Sequence, residues 1–339
     1  MRYITPQIVG FFNDDHSLYV DVQNIPGKQQ SILIDCGNNH TLTVKEFLKI
    51  STVLISHAHI DHFIGFDNIL RMNLRENKRI LVVGPAPMSR ILSHRLQGYM
   101  WNLIYDSSFE VEAWDIHPRV IKKYLFKCRE GFSTRHFIET IPANGTVLDN
   151  DYYTCSYIRL KHDITSIGYS IKEKDQYKID KTKLHNLGLQ SGSWLSALKK
   201  RNFAPTDTII ASTGKTYSYN RLYEMLVTEE KGFKLTYITD TILDKKLEKS
   251  IVQFAYGSDE FYCEATFLDS DIQYAKEYYH LTAKQTGKLA KNANVKVLYL
   301  LHLSQRYANA YSVLDEARSK FQNTHFPPFN TECMIKKKV

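Results

Sequence analysis

The stretch that most limits how this chain can fold is "SHAHIDH", residues 56–62, which sits at the end of the apolar run "STVLIS". Three histidines and an aspartate fall within seven positions. At this chain's own His and Asp frequencies the pattern H-x-H-x-D-H arises by chance about once in a thousand. An aliphatic, β-branched run reads as a buried strand, and metal-binding side chains crowded at its end read as the start of a site. In extended chain His57 and His59 can point the same way, and a strand-to-helix turn lets Asp61 and His62 face a neighbouring position. One segment can therefore supply two adjacent metal ions.

Composition sets the outer bounds. At 339 residues the chain is long enough for one large domain that buries roughly three quarters of its unfolded surface. Its longest apolar stretches, such as "VKVLYLLHL" at 295–303, fall short of the roughly 18 to 20 residues that span a bilayer. The N-terminal "MRYITPQIVGFF" has no extended apolar region followed by a small-residue cleavage site, so a cytoplasmic location is expected. The five cysteines, Cys36, Cys128, Cys155, Cys263 and Cys333, are scattered and never form C-x-x-C. That spacing disfavours a disulfide framework or a thiolate zinc site and predicts buried, reduced thiols. A formal charge of +8 is compatible with a polyanionic partner without requiring one.

The predicted fold class is α/β. The segments "SILIDCG", "STVLIS", "RILVVGP", "YTCSYIRLKH", "TDTIIAST", "FKLTYITD", "EFYCEATF" and "VKVLYLLHL" read as strands. "FDNILRMNLREN", "TAKQTGKLAKNA" and "SVLDEARSKFQN" read as helices, the last with Val313, Leu314, Ala317 and Phe321 on one face. Within a single domain over 1–339, residues 172–205 break the rhythm: they are lysine-rich and carry Gly188, Gly192 and Trp194. They read as an inserted basic arm, either a solvated excursion with a short amphipathic helix or a contact surface.

Later predicted strands end in further donors: His162 in "RLKHDITS", Asp240 in "YITDT" and His302 in "YLLHLSQRY". Strand ends are where open α/β sheets collect their ligands. Neutral imidazoles with carboxylates suit zinc or a similar first-row ion, and manganese, iron and cobalt remain compatible with the same set. Asp35, at the end of "SILID", reads as a carboxylate that organises a turn or supports a ligand. "TGKT" at 213–216 lacks the glycine of a phosphate-binding loop five positions before Gly214, where Ile209 stands, and reads as a turn. The terminal "KKKV" reads as a solvated tail.

This order, H-x-H-x-D-H followed by a distant His, an Asp and a final His, resembles the metallo-β-lactamase superfamily over nearly the whole chain. The resemblance implies a four-layer αβ/βα sandwich holding two metals, most simply two Zn²⁺ with Mn²⁺ or Fe²⁺ as alternatives. By that resemblance His57, His59 and His162 would bind one metal, Asp61, His62 and His302 the other, and Asp240 would bridge them. "CEATF" at 263–267, "HLTAKQTGKLA" at 280–290 and "LYLLHLSQRY" at 298–307 narrow the resemblance to the ribonuclease Z branch, the tRNA 3′-processing endonucleases. Glu264 and His280 match the residues that assist the leaving group there. "HDITSIGYSIKE" at 162–173 is similar to that branch's third motif, and the arm falls where its members carry an RNA-gripping exosite. The chain departs from the branch in four places. No Pro-Thr-x-x-Arg-Asn loop appears in residues 1–34, and "DCGNNHT" stands for Asp-Cys-Gly-Glu-Gly-Thr. Cys263 replaces a histidine, and 84–103 follows the branch only at its Gly-Pro.

The resemblance implies phosphodiester hydrolysis, in which paired metals lower the pKa of a shared water to about 7. Asp61 would orient or deprotonate the nucleophile, and His280, held by Glu264, would protonate the departing ribose 3′-oxygen. Arg306 would either pair with a substrate phosphate or form a structural salt bridge. The expected substrate is precursor tRNA and the expected assembly a homodimer, with no membrane partner. The alternatives are a small-molecule or cyclic-nucleotide phosphodiesterase of the same fold and a non-catalytic RNA-binding relative.

Overall fold

In the computed structural model, which describes residues 2–10, 15–25, 30–74, 76–104, 106–200, 207–210 and 214–328, alternation along the strands organises two sheets face to face. The first sheet runs in chain order through β1 (Ile4–Gly10), β2 (His16–Val22), β3 (Gln30–Ile34), β4 (Ile50–Leu54), β5 (Arg79–Pro85), β6 (Glu110–Ile116), β7 (Val120–Lys127) and β8 (His136–Pro142). Its middle strands β3 to β6 are parallel and its flanks antiparallel. Along β2 and β3, Leu18, Val20, Ile32 and Ile34 face one core, while Tyr19 and Leu33 face another. This period of two gives each strand an inner and an outer apolar face.

The second sheet has the order β19-β18-β17-β16-β11-β10-β9. Its strands are β9 (Thr146–Asp149), β10 (Tyr153–Lys161), β11 (Thr165–Glu173), β16 (Lys234–Ile238), β17 (Glu260–Glu264), β18 (Val297–Leu301) and β19 (Thr324–His325). β16 to β19 run parallel. Ile167, Tyr169, Leu235 and Tyr237 meet the inner residues of the first sheet in one buried cluster. Outside the first sheet pack α1 (Val44–Lys49), α2 (Ile60–Phe63), α3 (Phe66–Asn73) and α4 (Met88–Leu96), through Phe47, Phe63, Ile69 and Leu92. Outside the second pack α8 (Lys245–Ala255), α10 (Ala283–Asn292) and α11 (Tyr311–Arg318), through Ile251, Leu289 and Val313. The layers are helix, sheet, sheet, helix, the αβ/βα arrangement. Fully burying each such aliphatic side chain contributes roughly 1.5–3 kcal/mol.

The antiparallel strands β1, β2 and β6 to β9 are among the elements the sequence reading did not single out. In β6 and β7 apolar residues are interspersed with Lys, Glu and Asp, as "EVEAWDI" and "VIKKYLFK", and such strands lack the continuous aliphatic signal of the parallel ones. Cys36, Cys128, Cys155 and Cys263 are buried free thiols; Cys333 and the "KKKV" tail lie outside the described residues. Among those residues no helix is long and apolar enough to cross a membrane.

The chain divides into two compact units, Met1–Lys172 with Phe233–Val339, and Glu173–Gly232. The second is longer than the 172–205 stretch singled out in the sequence. It pairs β12 (Gln176–Ile179) with β15 (Val227–Glu230) and β13 (Thr208–Ile210) with β14 (Thr216–Ser218). Its helices are α5 (Lys181–Asn186), α6 (Trp194–Lys200) and α7 (Tyr219–Leu226). Leu184, Leu198, Leu222 and Leu226 form its own core, with Trp194 packed against it. Leu222 and Leu226 come from α7, beyond residue 205, which is why the unit extends to Gly232. Its two ends meet: a Cβ on Gly232 would lie 2.0 Å from the carbonyl oxygen of Glu173.

Tyr169 joins the two sheets, since its buried hydroxyl donates to the carbonyl oxygens of Ile55 at 2.8 Å and Val83 at 3.3 Å. Tyr169→Phe leaves the ring in place and removes this donor, so denaturant unfolding should show a loss of about 1–2 kcal/mol. An unchanged midpoint and slope would show that the bond contributes nothing to stability.

Candidate functional site

The site lies where the parallel strands of both sheets end, and its floor is built from Asp35. This residue follows β3, is fully buried, and has φ of 56°. Its carboxylate accepts from the Ser56 N–H at 2.6 Å, the Ser56 hydroxyl at 2.8 Å, His62 Nδ1–H at 2.8 Å and the Tyr237 hydroxyl at 2.8 Å. Burial works against the charge, but His62 and these donors hold the Asp35 carboxyl below the usual carboxylate range. The Ser56 hydroxyl proton is committed to Asp35, so its oxygen accepts from His57 Nδ1–H at 3.0 Å. Asp35 therefore sets the tautomers of two histidines and leaves each Nε2 facing inward.

Two glycines let the loops around this carboxylate touch. A Cβ on Gly65 would lie 2.2 Å from the Gly37 carbonyl oxygen, and one on Gly37 2.4 Å from that of Asp61. The Cys36 N–H donates to His62 O and the Gly65 N–H to Cys36 O, each at 2.8 Å. The turn carrying Asp61 and His62 is thus clamped from behind.

Two groups of donors converge on this floor. His57, His59, His162 and Asp240 have ligand atoms within 4.8 Å of one another, as do Asp61, His62 and His302. Within the first, His57 Nε2 is 2.9 Å from His59 Nδ1 and 3.4 Å from Asp240 Oδ2, with His162 Nε2 at 3.9 Å from the same oxygen. Within the second, Asp61 Oδ2 is 3.1 Å from His62 Nε2 and 3.4 Å from His302 Nε2. Asp240 touches both, its Oδ2 lying 3.4 Å from His62 Nε2 and its Oδ1 3.6 Å from His302 Nε2. Asp240 and His302 each follow a strand with φ near 50°, 48° and 53° respectively. Asp and His tolerate that left-handed turn better than most residues, at a cost of order 1 kcal/mol each.

The electrostatics match this crowding. Burial, reinforced by His62, drives His57 down to about 3, and burial also lowers His162. For His62 and His302 burial acts the same way but is overcome. Asp240 and Asp35 lift His62 well above the usual range, and Asp240 with Asp61 lifts His302 to about 9. Asp61 and Asp240 are held low by the surrounding imidazoles despite burial. Three carboxylates in a buried site demand positive charge. His62 Nε2 is buried without a hydrogen-bond partner and points at two of them. An orphaned imidazole nitrogen among carboxylates, beside other imidazoles with their Nδ1 atoms already engaged, is a donor set that fits divalent metal ions.

A third pair stands beside these groups. His280 Nδ1 donates to Glu264 Oε2 at 2.9 Å, and Glu264 also accepts from the Thr241 N–H at 2.6 Å, the Thr266 hydroxyl at 2.8 Å and the Leu281 N–H at 3.3 Å. Glu264 is fully buried at the end of β17. The "HLTAKQ" stretch places His280 through a capping box: Thr282 Oγ1 accepts from the Gln285 N–H and Gln285 Oε1 from the Thr282 N–H, starting α10 three residues on. The His280 and His302 rings lie 5.1 Å apart.

Every site residue named from the sequence is at or beside this edge. Arg306 lies in the exposed loop after His302. Its guanidinium sits 4.3 Å over the Tyr274 ring and has no carboxylate partner among the described residues. Sequence reading took Asp35 as a carboxylate that organises a turn or supports a ligand, the role it has here, without identifying its four donors. It missed the Tyr279 carbonyl, which accepts from His162 Nδ1–H at 3.2 Å, and the Thr241 and Thr266 donors to Glu264. Backbone carbonyls and threonines carry no residue-type signal, and only the position of Asp35 at a strand end marked it.

Known proteins resemble this chain in sequence and fold. A family model described as "Anti-Pycsar protein Apyc1" matches residues 22–177. The protein named Ribonuclease Z from Deinococcus radiodurans is 30% identical over 310 residues, covering 91% of this chain and 92% of its own. Among solved structures, the metallo-beta-lactamase fold protein YhfI from Bacillus subtilis superposes with a TM-score of 0.55 at 13% identity, covering 96% of this chain and 97% of its own. The short form of human tRNase Z superposes with a TM-score of 0.50 at 17% identity, covering 89% and 92%. The fold is the metallo-β-lactamase αβ/βα sandwich.

Asp35→Ala removes the acceptor of four donors without touching the converging atoms. Metal content after dialysis against a chelator series should show affinity reduced about 10- to 100-fold, the usual scale for a residue that orients a ligand. Retention equal to the native protein would show that His62 and His57 are oriented by something else.

Proposed function

We propose that this chain, which belongs to the ribonuclease Z family, is a metal-dependent endoribonuclease that cleaves precursor tRNA at its 3′ end. The observation that carries the reading is the convergence of two metal-binding groups with the buried Glu264–His280 pair at one sheet edge. His57, His59 and His162 would hold one ion, Asp61, His62 and His302 a second, and Asp240 would bridge them, with zinc the reading we favour and manganese or iron compatible with the same ligands. Such ions supply Lewis acidity toward the phosphoryl oxygens and make a water acidic enough to attack near neutral pH.

The chain's own residues do the rest. Asp61, whose Oδ2 lies nearest His62 and His302, would orient the attacking water and take its proton. Attack at phosphorus breaks the bond to the ribose 3′-oxygen. His280, with Nδ1 held by Glu264, delivers a proton from Nε2 to that oxygen. The products are a 3′-hydroxyl on the tRNA and a 5′-phosphate on the released trailer. Arg306, stacked on Tyr274, would bind a substrate phosphate.

The unit Glu173–Gly232 supports the choice of RNA. It has a core of its own, and the last turn of α6 carries Lys199 and Lys200. We read it as an inserted exosite that contacts RNA, in a protein that works as a cytoplasmic homodimer. Excising 174–231 with a short glycine bridge removes the whole unit and keeps Leu222 and Leu226 from being stranded, because the ends meet. The excised protein should lose at least ~100-fold in kcat/KM on precursor tRNA while still hydrolysing a small chromogenic phosphodiester; equal activity on both would refute the exosite. A native protein that cuts a cyclic nucleotide and leaves precursor tRNA intact would favour the small-substrate alternative.

The two histidine roles separate cleanly. His280→Ala should keep the metal content and slow turnover by about 100-fold or more, whereas His57→Ala should lower the bound metal. Near-normal turnover in the first, or unchanged metal in the second by elemental analysis, would remove that residue from its role.

A further inference from the structure

Directly before His280 the chain reads "YAKEYYH", residues 274–280. Helix α9 (Ile272–Glu277) carries Tyr274, and Tyr278 at its C-cap lies four residues on, so the two project from one side of the turn. Both are exposed, at 44% and 55%. The Tyr278 ring is stacked on that of Phe267, with centroids 6.4 Å apart and planes inclined by 26°, and the Phe267 ring lies 6.1 Å from that of His280. Arg306 closes the group, with its guanidinium 4.3 Å over Tyr274 and 5.8 Å over Phe267.

The segment is held in place. The Tyr278 N–H donates to Tyr274 O at 2.9 Å, the His280 N–H to Ala275 O at 2.8 Å, and Phe267 bridges to Thr282. Tyr279 takes a left-handed turn at φ 61° and anchors His162 through its carbonyl. The aromatic faces therefore stand at a set distance from the imidazole that faces the leaving oxygen.

We propose that Tyr278 and Tyr274, with Arg306, form a nucleobase-stacking subsite for the nucleoside whose 3′-oxygen departs. The inference rests on the proposed role of His280. A general acid sits within hydrogen-bond reach of the atom it protonates, so the ribose bearing the leaving oxygen, and the base attached to it, fall on the His280 side of the scissile phosphorus. An exposed tyrosine face stacks on any base, which gives affinity without sequence readout. The open fork of Arg306 takes the 5′-phosphate of the same nucleoside. One nucleotide is thereby gripped at its base, its 5′-phosphate and its 3′-hydroxyl.

Adenosine 5′-monophosphate carries all three features, and ribose 5-phosphate lacks only the base. Calorimetric titration of the full-length protein should show the nucleotide binding roughly tenfold tighter than the sugar phosphate. Tyr278→Ala should abolish that preference, and Tyr278→Phe, which keeps the ring, should preserve it. Equal affinities in the native protein, or a tenfold preference that survives Tyr278→Ala, would overturn the subsite. Cleavage of precursor tRNA by the native protein is assayed alongside. If it is absent while the Tyr278-dependent preference holds, the RNA reading falls and the subsite stands; if it is present without the preference, only the subsite falls.

Discussion

The carboxylate of Asp35 is the interaction on which the rest of the site depends. A fully buried charge is costly unless several donors satisfy it, and here four do, three from the "SHAHIDH" turn and one from the facing sheet. Because Tyr237 belongs to β16, Ser56 to the loop after β4 and His62 to α2, this single group ties the two sheets together at the point where their ligands meet. It also sets which nitrogens of His57 and His62 face inward. Stability and chemistry are joined in one network, and neither can be altered alone.

The same logic recurs around Glu264, where a threonine hydroxyl, two backbone N–H groups and the His280 ring converge on a buried carboxylate. The two networks differ in what they orient. Asp35 presents imidazole lone pairs to cations, and Glu264 presents an imidazole proton donor to a leaving group. Both sit at the ends of parallel strands, where the backbone turns sharply and side chains project past the sheet edge. The left-handed conformations at Asp35, Asp240 and His302 are the local cost of that projection.

Much of this was legible in residue order. H-x-H-x-D-H after an aliphatic run marked the turn, and His162, Asp240 and His302 stood out because each closes a predicted strand. Glu264 and His280 were legible through resemblance of "CEATF" and "HLTAKQ", and the capping box explains why the second stretch is spaced as it is. The antiparallel flanking strands were hidden by their polar alternation. The extent of the Glu173–Gly232 unit was hidden because its boundary depends on which leucines share a core, a property of packing and not of local composition.

By itself the sequence determined the chemistry available: imidazoles and carboxylates at strand ends, with no thiolate pattern to compete and an acid–base pair in reserve. Only the tertiary structure decided how those groups are partitioned. His302 and Asp61 stand 241 positions apart in the chain and 3.4 Å apart in space, and Asp240 lies between two groups that each draw on both sheets. Local pattern specifies which side chains a strand delivers and at which end. Which of them meet is set by the face-to-face packing of the two sheets, whose buried apolar surfaces admit one register and so bring these distant ends to a single edge.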